Sequence, residues 1–194
     1  MPVATDDAMI AGSPTARLAR RHCTTDSLHH RSALRNPGET DMHQPDNRQV
    51  AQIFDAVAGR YDRQMSVLER LLFDGSRAWA VSRARGRVVE IAVGTGLNLP
   101  LYSPLVSRVV GVELSEGMLA LARQRVDDEA LDRVELRQGD VQDLDLPDHS
   151  TDTVLSTFTF CSIPDPAAAA RAAYRVLVPG GRFVLAEHGP SRHV

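Results

Sequence analysis

The segment EIAVGTGLNLP (residues 90–100) has the residue types of a ligand-binding loop. An apolar run breaks into GTG, and glycines that follow a strand let the backbone approach a bound molecule closely. The dinucleotide fingerprint G-x-G-x-x-G/A is met at Gly94 and Gly96, but Leu99 stands at its third position. This departure weakens the prediction of a nicotinamide dinucleotide site.

The charges around the loop favour a cation over a diphosphate. A diphosphate binds best at a helix N-terminus with free N–H groups. Pro100 lacks one such group, and Glu90 places a carboxylate four residues before Gly94. S-adenosylmethionine (SAM) carries a sulfonium and an α-amino group but no phosphate, so the electrostatics favour SAM.

Two acids follow the next two predicted strands. Glu113 ends the strand RVVGVE, where a carboxylate can accept both ribose hydroxyls of a nucleoside. Asp140 ends VELRQGD after a glycine, where it can accept an adenine amino group. Either acid alone is more often a solvated strand end. Their joint occurrence in this order predicts a nucleoside site.

These residues must be positioned by an alternation of strands and helices. Apolar runs predict strands at RVVEIA, RVVGVE, VELRQGD, TDTVLSTFTF and RFVLAEHG. Helices are predicted from Arg48, with an interruption at Gly59, over 67–72, 78–84 and 98–106, from Ser115, and in DPAAAARAAYRVL. The rhythm predicts an α/β fold with a parallel sheet, helices on both faces, and ligands at the carboxyl ends of the strands.

Composition excludes several functions. The 194 residues carry a net charge of -3, which gives no global reason to bind nucleic acid, and all 22 basic residues are arginine. Without lysine, Schiff-base chemistry and a Walker lysine are excluded within this chain. Two cysteines match no metal or redox spacing, and neither a membrane span nor a secretory signal is evident. We therefore expect a cytoplasmic protein without a metal site or stable membrane insertion.

The chain divides near residue 46. Residues 1–45 hold few large apolar side chains, which predicts a disordered leader, and 46–194 form the folded domain. The histidines of the leader show no repeated ligand spacing, and we expect a solvated tail; they are His22, His29, His30 and His43.

Four segments resemble successive motifs of the class I SAM-dependent methyltransferases. They are VVEIAVGTGLNLPLY, GVELSEGMLALAR, LRQGDVQDLDLPDHSTDTVLSTFTFCSIPDP and YRVLVPGGRFVLAEHG. The resemblance covers residues 53–189 and is strongest to the type 11 domains of ubiquinone/menaquinone-biosynthesis and phospholipid N-methyltransferases. FDAVAGRYDR also resembles the segment that folds over the cofactor in that group. The resemblance implies a Rossmann-like three-layer αβα sandwich with a mostly parallel sheet.

The resemblance also implies which residues bind SAM. They are Tyr61, Glu90, Ala92, Gly94, Gly96, Glu113, Leu114, Met118, Asp140, Val141 and Thr157. The set from Glu90 to Gly96 would hold the methionine moiety, Met118 would pack near the adenine, and Thr157 would lie beside the methyl donor. Tyr61 and Asp62 would close the pocket. One departure is that the first loop glycine of the family is Ala92 here.

The family's sheet normally ends in an antiparallel hairpin of two strands, and nothing after EHGPSRHV can build it. We therefore expect a domain lacking the last two strands, with the RFVLAEHG strand as an exposed edge. Such a chain is a fragment, a frameshifted product, or one that completes its sheet edge with a second copy of itself.

Few side chains could act on an acceptor. His188 follows the last strand and titrates near neutrality, so it is the best candidate proton acceptor, although a solvated strand end is the commoner role. Cys161 is expected to be a small buried packing residue. Phe158 and Phe160 either line an apolar pocket or alternate along a strand.

Two functions remain open. The first is a SAM-dependent methyltransferase acting on a small apolar acceptor, namely a quinone precursor, a lipid amine or a thiol. The second is a truncated, non-catalytic module that binds SAM or a partner chain. The intact cofactor motifs favour the first, and the missing strands favour the second.

Overall fold

The computed structural model describes residues 8–11, 45–72 and 75–188, with side chains for 45–65 and 75–187. The elements in chain order are β1 (Ala8–Ala11), α1 (Asn47–Leu72), α2 (Ser76–Val81), β2 (Gly86–Ile91), β3 (Val106–Glu113), α3 (Glu116–Asp128), β4 (Val134–Gln138), β5 (Thr151–Thr157), α4 (Pro166–Val176) and β6 (Leu177–His188). Short 3-10 turns lie at Leu99–Leu101 and Phe160–Ser162.

The strands form one sheet in the order β1-β6-β5-β2-β3-β4, and every pairing among them is parallel. One apolar cluster joins Val88 of β2 to Val81 of α2 and Leu119 of α3. A second joins Val89 of β2 to Ala173 of α4. Helices therefore cover both faces of the sheet, and the predicted Rossmann-like αβα sandwich is confirmed.

The apolar run of β2 is explained by its central place in the sheet. Successive side chains of a strand point to opposite faces, and both faces of a parallel sheet are covered by helices. Val88 and Val89 are consequently both buried, in the two different clusters. Such a strand shows a continuous apolar run rather than an alternation.

Three helices begin at residues with the expected capping chemistry. Asp46 accepts the N–H of Gln49 at 2.8 Å, and the Gln49 side chain accepts the N–H of Asp46 at 2.9 Å, which is a capping box. Ser115 caps α3 through the N–H of Met118, and Asp165 caps α4.

Several predicted element boundaries are wrong. Gly59 does not interrupt α1, because one glycine costs only about 1 kcal/mol in a helix and packing along the rest of the helix outweighs it. The helix predicted over 98–106 is only the 3-10 turn Leu99–Leu101, since β3 already begins at Val106. The TDTVLSTFTF strand ends at Thr157, and the predicted turn at 179–181 is a bulge-like register shift inside β6.

The edge of β6 also differs from expectation. Ala8–Ala11, inside the predicted leader, pairs in parallel with Leu185–His188. This edge is therefore covered by β1 rather than exposed, and the leader is not wholly without regular structure. Four small and apolar residues carry too short a pattern to predict a strand. The rest of the leader up to residue 44, including its histidines, lies outside the described residues.

Candidate functional site

The loop after β2 makes a tight turn with three residues in the left-handed region. Ala92, Gly94 and Gly96 have φ values of 52°, 59° and 81°. At Gly96 a Cβ atom would lie 2.8 Å from Leu99 Cδ1, so a larger residue there would collide. Ala92 adopts a conformation that favours glycine, and this explains why the resembling motif has glycine at its position.

A cleft of about 610 Å³, open in part to solvent, lies at the carboxyl ends of the strands. Eight of the predicted cofactor residues line it: Tyr61, Ala92, Gly94, Glu113, Leu114, Met118, Asp140 and Val141. Glu90, Gly96 and Thr157 are not among the described residues of its lining.

Glu113 is held by two backbone groups at the end of β3. Its carboxylate accepts the N–H of Gly94 at 2.9 Å and the N–H of Ser115 at 2.9 Å. Burial raises the pKa of this carboxyl above its ordinary value, and the hydrogen bonds from Ser115 and Gly94 act in the opposite direction. Glu113 thereby links the glycine loop to the first turn of α3.

Asp140 also lines the cleft and is tied to the start of α1. It accepts the side-chain amide of Asn47 at 2.6 Å and the N–H of Gln142 at 2.8 Å. The Gln142 amide also donates to Asn47 at 2.8 Å. Asn47 and Gln142 both line the cleft, and neither was predicted from the sequence.

Glu90 is buried beneath the loop instead of lining the cleft. It accepts hydrogen bonds of 2.7 Å from both the Asn98 amide and the Tyr102 hydroxyl. Burial raises the pKa of Glu90 to about 7, against the lowering effects of Tyr102, Asn98 and Arg77. Its contacts with protein groups indicate that it supports the loop from below.

Arg77 connects this buried network to the end of β5. Its guanidinium donates to Asn98 at 2.7 Å and to the Thr157 hydroxyl at 3.3 Å, and it lies 5.6 Å from the centre of the Phe158 ring. Thr157 also accepts from Asn98 at 3.1 Å. The sequence offered no signal for Arg77, because α2 and the strand ends meet only in the folded sheet.

Helix α1 is fastened across the cleft by two aspartates. Asp55 accepts the Ser115 hydroxyl at 2.5 Å and the Gly117 N–H at 2.9 Å, which lowers the pKa of its carboxyl. Asp62 accepts the Thr95 hydroxyl at 2.5 Å and pairs with Arg125 at 2.5 Å. The segment FDAVAGRYDR thus packs against both the glycine loop and α3.

Beyond Asn47 at its start, α1 presents mainly apolar and aromatic side chains to the cleft. Val50, Phe54 and Tyr61 line it, and the Phe54 and Tyr61 rings meet edge to face at 6.4 Å between centroids. The helical spacing of Val50 and Phe54 was visible in the sequence, but it predicts only a buried face. Its use as a cleft wall follows from the docking of α1.

The segment after β5 supplies another wall of the cleft. Phe158, Thr159, Ser162, Ile163 and Pro164 line it. Of the two roles open for Phe158, the structure favours the pocket lining, since the strand has already ended. Phe160 instead packs on Phe183, with 6.0 Å between ring centroids.

The remaining candidates behave differently. Cys161 is exposed, so the expectation of a buried packing residue is wrong. His188 ends β6, at the same end of the sheet as the other strand ends, but its side chain lies outside the described ones.

Within the described ranges, no three His, Cys, Asp or Glu side chains lie close enough together to form a metal site. None of the described helices has the length and apolar character to cross a bilayer.

Comparison with known proteins agrees with this geometry. The profile of a family described as "Methyltransferase domain" matches residues 89–185, from β2 to β6. The chain belongs to this methyltransferase domain family. The resemblance stated from the sequence motifs is thereby confirmed.

Individual members of the methyltransferase domain family show the same similarity. A phosphatidylethanolamine N-methyltransferase of Cereibacter sphaeroides is 44% identical over 109 residues, which are 56% of this chain and 53% of that protein. A demethylmenaquinone methyltransferase of Clavibacter sepedonicus is 33% identical over 146 residues, which are 72% and 58% of the two chains. This chain therefore spans a little over half the length of these curated relatives.

A solved structure extends the similarity to three dimensions. A SAM-dependent methyltransferase from Thermotoga maritima, described as a possible histamine N-methyltransferase, superposes with a TM-score of 0.55 at 34% identity. The match covers 69% of this chain and 59% of that one.

Proposed function

We propose that this chain binds SAM in the cleft at the strand ends and transfers its methyl group to a small acceptor with an apolar body. The observation that carries the proposal is the carboxylate of Glu113, buried at the end of β3 and fixed against the Gly94 backbone. It stands beside the glycine loop of a chain that belongs to the methyltransferase domain family.

The donor set of the cleft fits this cofactor. Each carboxylate oxygen of Glu113 accepts one backbone N–H, which leaves a lone pair on each for a ribose hydroxyl. Asp140 is a second acceptor, suited to an exocyclic amino group. A Cβ atom built on Gly94 would meet nothing within 4 Å, so the loop leaves open space on its cleft side. The negative charges of Glu113 and Asp140 also suit a cationic ligand.

When bound, SAM supplies an electrophilic methyl group on its sulfonium. The work left to the protein is to hold the acceptor in line with that group and to exclude water, and positioning of this kind lowers barriers by several kcal/mol. We assign the cofactor side to Ala92, Gly94, Glu113 and Asp140, with Leu114, Met118 and Val141 packing on the nucleoside. We assign Thr157, which precedes Phe158 at the end of β5, to the methyl end, although the described lining begins at Phe158.

We propose an apolar acceptor because one part of the cleft is lined by apolar side chains. Val50 and Phe54 from α1, with Phe158, Ile163 and Pro164 from the segment after β5, give the cleft an apolar lining. Relatives named for a lipid amine and for a quinone precursor are consistent with such an acceptor. A protonated amine must lose a proton before its nitrogen can attack the methyl group, and the methylated ammonium releases another afterwards; we propose His188 as the group that takes the first.

Calorimetric titration of SAM and of S-adenosylhomocysteine into the chain tests the cofactor assignment. We expect saturable binding that Glu113→Ala abolishes and that Glu116→Ala leaves within twofold, because Glu116 is an exposed neighbour paired with Arg123. Absence of binding by the parent chain would refute the proposal.

Transfer of a radiolabelled methyl group tests the reaction itself. The acceptors are phosphatidylethanolamine in mixed micelles and a short-tailed demethylmenaquinone reduced to its hydroquinone, because only the electron-rich ring can attack an electrophilic methyl group. We expect label on one of them, and a loss of rate with His188→Ala at unchanged cofactor affinity. Cofactor binding without transfer to these or to a wider panel of amines, quinones and thiols would favour the non-catalytic module instead.

A further inference from the structure

Phe158 has a backbone conformation that aromatic residues rarely adopt. Its φ of 56° lies in the left-handed region, where the Cβ of a bulky residue is crowded. Such strain persists only where the surrounding structure enforces it, and it concentrates at functional sites. The groups that enforce it at Phe158 therefore indicate what this segment does.

The enforcing group comes from β6. Both carboxylate oxygens of Glu187 accept the N–H of Thr159, at 3.0 and 2.9 Å, and one of them also accepts the Ser156 hydroxyl at 3.1 Å. The N–H of Phe158 itself donates to the carbonyl of Ala186 at 2.9 Å. Glu187 thus binds the chain on both sides of Phe158 and turns it out of the strand.

The turn brings Phe158 to the cleft. Its side chain lines the cleft, as do Thr159 and Ser162 just after it, while Glu187 is not among the described lining residues. Thr159 is buried, so its N–H depends on the Glu187 carboxylate rather than on solvent. The carboxylate therefore acts on the cleft only through the segment that it holds.

We propose that Glu187 is a positioning residue for the acceptor: it holds Phe158 in its strained conformation, and the Phe158 ring forms the wall against which the apolar acceptor lies. This inference rests on the proposed function. It assigns the wall at Phe158 to acceptor selection rather than to the cofactor, most of whose predicted residues lie at or after the ends of β2, β3 and β4 and on α3. Of the predicted cofactor residues only Thr157, proposed for the methyl end, lies on β5 beside Phe158.

The hydrogen bonds from Thr159 and Ser156 to Glu187, here called the clamp, can be tested by amide hydrogen exchange without any ligand. In Glu187→Ala we expect exchange at Phe158 and Thr159 to quicken at least tenfold, with the β5 amides of 153–155 unchanged. Glu187→Gln keeps one side-chain oxygen that can accept the Thr159 N–H, so it should recover most of the protection. Glu135→Gln, a change of another half-buried glutamate on β4, is the matched control. Unchanged exchange at Thr159 in Glu187→Ala would overturn the clamp, whatever the parent binds.

Steady-state kinetics with the same variants test the acceptor role, using phosphatidylethanolamine micelles and the short-tailed demethylmenaquinone in its reduced, hydroquinone form. In Glu187→Ala we expect KM for the acceptor to rise about tenfold, kcat to fall less, and the Kd for S-adenosylhomocysteine to stay within twofold. Phe158→Ala should likewise raise KM for the acceptor more than it lowers kcat. Glu187→Gln should have a KM between those of Glu187→Ala and the parent. A loss of cofactor affinity equal to the loss for the acceptor would overturn the inference, whereas failure of the parent to bind S-adenosylhomocysteine would overturn the proposed function.

Discussion

Glu90 and Tyr102 are both buried and share a hydrogen bond of 2.7 Å beneath the glycine loop. The same carboxylate accepts the Asn98 amide, so two donors converge on one acid that water scarcely reaches. Burial raises the pKa of Glu90 to about 7 and that of Tyr102 well above its ordinary value. A carboxyl of this kind couples the stability of the loop to pH.

The first prediction concerns that coupling. Between its ordinary pKa of 4.5 and about 7, Glu90 keeps a proton in the folded chain that it has lost in the unfolded chain. The folded state then binds more protons, so the free energy of unfolding falls as the pH rises through this window, by up to about 3 kcal/mol. Urea unfolding of the parent and of Glu90→Gln from pH 4.5 to 8 measures it. The variant should lack this part of the slope, and a slope equal to the parent's would exclude Glu90 as the source.

The second prediction concerns the two glycines with opposite surroundings. Gly96 has a φ of 81° and no room for a Cβ atom, whereas Gly59 lies in α1 with nothing within 4 Å of a Cβ. We expect Gly96→Ala to lower the free energy of unfolding by about 2 kcal/mol and Gly59→Ala to raise it by about 0.5 kcal/mol. Thermal and urea unfolding would measure both. Equal changes in the free energy of unfolding for the two variants would show that the loop at Gly96 can rearrange to accept a Cβ atom.

The third prediction concerns the fastening of α1. Asp55 accepts from Ser115 and Gly117 at the first turn of α3, and its replacement by alanine removes both hydrogen bonds. We expect faster amide exchange in 50–62 and a several-fold faster dissociation of S-adenosylhomocysteine, with little change in exchange at β2. Asp128→Ala, at the far end of α3, is the control. Unaltered dissociation would mean that α1 does not retain the ligand.

The fourth prediction concerns Asp140 and adenine recognition. Asp140→Asn replaces one acceptor oxygen by an amide that can only donate, beside Asn47 and Gln142. We expect S-adenosylhomocysteine and free adenosine to bind about tenfold more weakly, which corresponds to roughly 1.4 kcal/mol. Asp145→Asn, an exposed change in the following turn, should leave both affinities unchanged. Calorimetry with adenosine alone isolates the nucleoside end, and an unaffected adenosine Kd would contradict the assignment.

The sequence predicted those parts of the fold and site that depend on neighbouring residues. The strand at Val88 and Val89, the cap at Ser115 and the strand-end position of Glu113 all follow from local pattern and capping chemistry. Parallel topology then brings Gly94 and Glu113 to the same edge, because all strands end there. Eight of the eleven predicted cofactor residues line the cleft, six of them at or just after a strand end, whereas Tyr61 and Met118 reach it from α1 and α3.

Other contacts of the site involve partners that no local sequence pattern identifies. Phe158 leaves the strand pattern because of Glu187, which contacts Thr159 across 28 residues. Asn47 enters the site through Asp140, 93 residues away. Glu90 was assigned to the ligand because no local pattern reveals that Tyr102 and Asn98 occupy its oxygens. Such pairings become visible only when the sheet is assembled.

The central position of β2 has a consequence during synthesis on the ribosome. Its neighbour β5 follows much later in the chain: the hydrogen-bonded pair Arg87 and Asp152 is separated by 65 positions. At about 5–20 residues per second, one side of this apolar strand has no native partner for about 3 to 13 s after it is made. Only β3 can pair with it in that interval. The side of β2 that faces β5 is therefore an apolar strand edge that a chaperone can cover on the nascent chain, and slow translation before β5 would prolong its exposure.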